Sequence, residues 1–79
     1  MPASGTGWME PLEGAGREEF QLMDASASGF RVCHHYIALS AGQRVRFHTD
    51  RADGIAVAVW NLVKGAEVES GFLIVSGLK

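Results

Sequence analysis

Asp24-Ala25-Ser26-Ala27-Ser28-Gly29 is the stretch of this sequence whose residue types and spacing point most directly to chemistry. An aspartate and a serine two positions apart can hydrogen-bond backbone amides or the polar edge of a ligand, and a glycine three positions further on lets the chain turn back into a sheet. The same six residues also make an Asx-type turn that needs no ligand. Upstream, Glu13-Gly14-Ala15-Gly16-Arg17 is glycine-rich and carries one cation. Its amides and the Arg17 guanidinium suit a phosphate, and the stretch equally suits a plain loop.

Other polar groups are weaker candidates. His34 and His35 are adjacent, and adjacent residues on a strand point to opposite faces, so the two rings do not chelate one ion; no carboxylate or thiolate spacing adds a site with His48. Cys33 shares a face with Arg31 and His35, where nearby cations would favour a thiolate, although a small strand residue is the simpler reading. Arg44, Arg46 and His48 form a cationic stripe, either a solvated strand face or a contact surface for an anionic partner. Trp8 lies in a glycine-rich arm, where an indole either docks on the domain or meets a partner. Paired carboxylates in a rigid setting, a serine-histidine arrangement with a third member and a dinucleotide fingerprint are all missing, so an enzyme is not expected.

Strands must position these residues. Apolar and polar residues alternate with a period of two through 20–22, 30–36 and 45–49, and 54–62 carries Ile55, Val57 and Val59 on one face and Ala56, Ala58 and Trp60 on the other, the pattern of a central strand covered on both sides. Val68, Phe72 and Ile74 are in phase in a further strand over 67–75, with Gly71 as a candidate bulge. Turn residues at 24–29, 40–42, 50–54 and 64–65 separate them, and no amphipathic helix of ten residues is present. The fold class is therefore all-β: a small antiparallel barrel of six strands, or of five strands plus an arm. The barrel is assigned to 19–79, and 1–18 to a flexible N-terminal arm with a short strand over 6–10.

Composition narrows the function classes. Seventy-nine residues with 47% hydrophobic content make one small core, and one cysteine excludes an internal disulfide. Seven Lys and Arg against nine Asp and Glu give a net charge of −2, a poor basis for coating nucleic acid. The start of the chain has no basic, apolar leader pattern, and the longest apolar run, 54–63, is interrupted by Asn61 and too short to span a bilayer, so a cytoplasmic protein without a membrane span is expected.

The DxSxxG motif between two strands, followed by Leu39-Ser40-Ala41-Gly42-Gln43-Arg44-Val45-Arg46-Phe47, Ala56-Val57-Ala58-Val59-Trp60 and Gly71-Phe72-Leu73-Ile74, resembles the PilZ domain family over 19–75. The resemblance implies a six-stranded barrel of the bacterial cytoplasm, a nucleotide-binding receptor or adaptor in cyclic diguanylate (cyclic di-GMP) signalling that relays its state to a protein partner. By that resemblance Asp24, Ser26 and Gly29 are ligand-binding residues. The RxxxR motif that completes the family's site is absent, and Arg17, the only arginine upstream of Asp24, is the candidate substitute. No other cofactor and no metal is implied. The alternative within the family is an adaptor that binds no nucleotide and acts only through protein contacts. A weaker resemblance, carried by 32–39, 42–47 and Trp8 with Gly14 and Gly16, is to the cold-shock domain, which implies single-stranded RNA binding. There Ala15 and Arg17 occupy positions of stacking aromatics, and 63–79 is left as an extra strand.

Overall fold

The computed structural model describes residues 5–12, 16–36, 38–50 and 52–78, and these form an all-β barrel. The strands are β1 (Thr6–Pro11), β2 (Glu18–Ala25), β3 (Gly29–His34), β4 (Arg44–His48), β5 (Asp53–Lys64) and β6 (Glu67–Leu78). They pair antiparallel in the order β1-β2-β3-β6-β5-β4, and the β1–β4 pairing closes the ring. The barrel wall thus begins at Thr6, inside the segment expected to be an arm. Its inward positions are Gly7, Met9 and Pro11, a set with low strand propensity, and Gly7 is tolerated because it stands against the Phe20 ring.

The interior is filled by aromatic rings. Phe30 lies 4.8 Å from Phe47, 5.2 Å from Phe72 and 6.0 Å from Phe20, centroid to centroid. Met9, Leu22, Val32, Val45, Ala56 and Ala58 complete the cluster, and Leu39 from the β3–β4 connection plugs one end. Each of these is the inward member of an alternating strand, except Leu39. Pairs of rings at these separations add about 0.5–1.5 kcal/mol each beyond area burial.

Two interruptions of the alternation matter most. In β2 against β3, Leu22 pairs with Val32 but Asp24 with Arg31, so Met23 is an extra residue. In β5 against β6, Ala58 pairs with Phe72 but Trp60 with Gly71, so Val59 is extra. Each bulge reverses the inward and outward parity of the residues beyond it on its strand. Asp24 and Trp60 therefore stand on the outer face, and Asn61 turns inward. The expectation that 54–62 is covered on both sides does not hold: Ala56 and Ala58 are buried, while Val59 and Trp60 are half-exposed. The bulge lies in β5, opposite Gly71 rather than at it. Among the described residues there is no helix long and apolar enough to cross a membrane.

A buried polar chain ties β3, β5 and β6 to the β3–β4 connection. The Tyr36 amide donates to His34 Nδ1 at 3.0 Å, so the ring proton sits on Nε2, which donates to Ser70 Oγ at 2.7 Å. Ser70 donates to Asn61 Oδ1 at 2.5 Å, and Asn61 Nδ2 donates to the Leu39 carbonyl at 3.0 Å. The direction of every bond is set by a neutral His34. Burial, helped by the neighbouring His35, lowers its pKa from 6.5 to about 4.

Between those two values the unfolded chain takes up a proton that the folded state refuses. The stabilisation from neutral His34 is therefore complete above about pH 6.5 and declines as the pH falls toward 4, by up to about 3 kcal/mol. Urea unfolding at pH 7.5 and pH 4.5 should show this loss, and His34→Gln should flatten the slope. An unchanged slope in the variant would assign the acid sensitivity to carboxylates instead.

Candidate functional site

The turn between β2 and β3 carries Asp24, Ser26 and Gly29 to one rim of the barrel. The Ser26 amide donates to the Gly29 carbonyl at 2.8 Å and closes the turn, and Ser26 Oγ adds a longer contact of 3.4 Å to the same oxygen. The Ile74 amide donates to the Ser28 carbonyl at 2.8 Å, fastening the turn to β6. Gly29 is required by close approach, because a Cβ there would run into the Phe72 carbonyl oxygen. The expected site residues Asp24, Ser26 and Gly29 are thus brought together.

Beside them lies a shallow groove of about 490 Å³ that is largely open to solvent. Its polar wall holds Asp24, Ser26, Ser28 and Arg31, and its apolar wall holds Val59, Trp60 and Leu73. Arg31 donates to Asp24 Oδ2 at 2.7 Å. Both side chains are more than a third exposed, so water screens the pair and it contributes at most about 1 kcal/mol to stability. Arg31 Nε is enclosed by protein and has no hydrogen-bond partner among the described residues. That N–H is closed to the groove, so a ligand there reaches Arg31 through the outer nitrogens of the guanidinium, which lines the groove.

Arg17 does not join this group. It precedes β2, whereas Asp24 lies near that strand's other end, and seven extended residues separate them by roughly 20 Å. Its guanidinium instead lies 3.8 Å from the Trp8 ring centroid, a cation–π contact. Trp8 also stacks on His48 at 5.7 Å, and His48 pairs with Asp53. Trp8 is docked on the wall. Residues 13–15 of the glycine-rich stretch lie outside the described residues.

The cation of the groove is Arg31, which strand alternation alone marks only as an outward residue beside Cys33 and His35. Its signal is the spacing that puts it two residues beyond Gly29. What the sequence could not show is the Met23 bulge, which brings Asp24 opposite it. Trp60 is hidden for the same reason, since uninterrupted alternation sends it to the face of Ala56 and Ala58.

The other candidates lie away from the groove. His34 is buried and His35 exposed, on opposite sides of the wall. Among the described residues no group of three or more His, Cys, Asp or Glu is arranged to hold a metal. Cys33 is not activated: burial first, and then the Glu67 carboxylate 3.6 Å away, push its pKa up rather than down. Arg44 and Arg46 are exposed without an acidic partner among the described residues. Phe20, Phe30, Phe47 and Phe72 all face the core, so none offers a ring to a nucleic acid base.

Compared with models of known protein families and with curated proteins, the chain gives no match.

The two halves of the turn should respond differently to substitution. Gly29→Ala should lower stability by about 2–3 kcal/mol, because the turn and β6 must separate to admit the methyl group. Asp24→Asn should change it by no more than about 1 kcal/mol, as befits a solvated ion pair. Urea denaturation of both variants checks this, and a Gly29→Ala protein as stable as the parent would show that the turn is not held against Phe72.

Proposed function

We propose that this barrel is a PilZ-type signalling domain that takes cyclic diguanylate in the β2–β3 groove and relays its occupancy to a protein partner in the bacterial cytoplasm. The observation that carries the reading is the convergence of Asp24, Ser26, Gly29 and Arg31 on one open groove. Guanine offers N7 and O6 as paired acceptors, which a guanidinium meets bidentately, and its ring and exocyclic N–H groups suit a carboxylate. Arg31 and Asp24 supply that complementary pair within one site. Phosphate oxygens can draw on the hydroxyls of Ser26 and Ser28 in the turn. The role is that of a receptor rather than a catalyst. Arg31 takes the part expected of Arg17.

A second reading is supported by a different observation. Val59, Leu62, Leu73 and Val75 are each roughly half-exposed on β5 and β6, and exposed apolar side chains of this kind suit protein contact. On this reading the domain is an adaptor that binds no nucleotide. Single-stranded RNA binding has less support, since the phenylalanines are internal and β6 is a full stave between β3 and β5.

Calorimetric titration of cyclic diguanylate near physiological salt distinguishes the first two. Binding should be low micromolar or tighter, and Asp24→Ala and Arg31→Ala should each weaken it by about ten- to a hundredfold, the loss of one charge-assisted contact. Arg17→Ala should leave it unchanged. Absence of heat near millimolar ligand, from protein shown to be folded, would leave the adaptor reading.

A further inference from the structure

The groove's second wall has a specific construction. Gly71 on β6 is in register with Arg31 on β3 and with Trp60 on β5, so the outer face presents arginine, glycine and tryptophan across three neighbouring strands. Strand spacing places the arginine and tryptophan backbones roughly 10 Å apart, with no side chain between them at Gly71. The indole leans into that space. A Cβ on Gly71 would lie 2.6 Å from Trp60 Cε2 and 3.0 Å from Cδ1, with Nε1 nearer still, so any other residue at 71 would push the ring away.

Trp60 is also unoccupied in a way that Trp8 is not. Trp8 carries a guanidinium over its ring and stacks on a histidine. Trp60 has no aromatic or cationic partner among the described residues, remains 40% exposed and lines the groove. The Val59 bulge holds it on the outside; without that extra residue it would point into the barrel.

We infer that Trp60, laid over Gly71, is the surface on which a purine base stacks in this groove, with Arg31 meeting the polar edge or phosphate beside it. The inference rests on the reading that the groove takes a nucleotide. It makes the base's flat face, in addition to its edge, a determinant of binding. Stacking of a base on an aromatic side chain is tolerant of base identity but stronger for the larger purine surface. Selectivity then comes from pairing that surface with the Asp24 and Arg31 contacts.

The experiment uses a Trp8→Phe variant, in which Trp60 is the single tryptophan, titrated with cyclic diguanylate while both heat and indole emission are followed. Emission should be quenched in step with the heat. In the parent sequence Trp60→Ala should weaken binding by about tenfold or more, the usual effect of removing a stacking ring, while Trp60→Phe stays within a few-fold. Gly71→Ala, which displaces the indole, should behave like Trp60→Ala, and cyclic diuridylate should bind more weakly than cyclic diguanylate. Saturating heat with unchanged emission, or full affinity in Trp60→Ala, would overturn the stacking role and leave nucleotide binding intact. No heat from either folded protein would overturn both. Should Trp60→Ala or Gly71→Ala fail to fold, the emission change and the Trp60→Phe affinity still decide the matter.

Discussion

Closing six strands around Phe30 dictates nearly every other feature of the molecule. With rings from β2, β3, β4 and β6 packed within the barrel, each strand must keep one row of side chains inward, and the other row is then committed to the outside. A strand can change which residues it shows only by adding a residue that its neighbour does not match. The chain does so at Met23, Val59 and Val75, and the first two turn outward Asp24 and Trp60, on opposite walls of one groove. The proposed site is thus assembled by local departures from the regularity that holds the barrel together.

Polar groups are divided between two kinds of environment. Inside, His34, Ser70 and Asn61 form a chain in which each donor has an acceptor, and the low interior polarity keeps the imidazole neutral. Outside, Asp24 and Arg31 pair in water, where the pairing contributes little to stability and leaves both groups able to exchange partners. The first arrangement fixes the β3–β4 connection against β5 and β6. The second suits recognition, because a ligand need not break a deeply buried bond to enter.

Strand positions were legible in the sequence wherever one face meets the core, because burial enforces a period of two. That holds for β2 through β6 and for the closed all-β class. For β1 the short strand over 6–10 was legible but its place in the wall was not, since its inward glycine and proline give a weak strand signal and closure with β4 sets its position. The turn residues Asp24, Ser26 and Gly29 were legible from spacing. Arg31 and Trp60 were not, since a bulge arises from pairing between strands and leaves no mark on either strand alone. Arg17 was assigned by proximity along the chain, yet an extended strand carries its two ends far apart, and the indole of Trp8 captures the guanidinium where it emerges.

The Val59 bulge also bears on how such a barrel can vary over time. Exchanging one side chain for another on β5 alters a contact and leaves the frame intact. Removing one residue between Ala58 and Trp60 would instead reverse inside and outside for the rest of the strand, bringing an indole toward the Phe30 cluster and carrying the Asn61 amide away from Ser70 and Leu39. A deletion there acts in space as a frameshift acts in a gene, and lineages descending from this chain would be expected to keep the length of β5 more strictly than its letters.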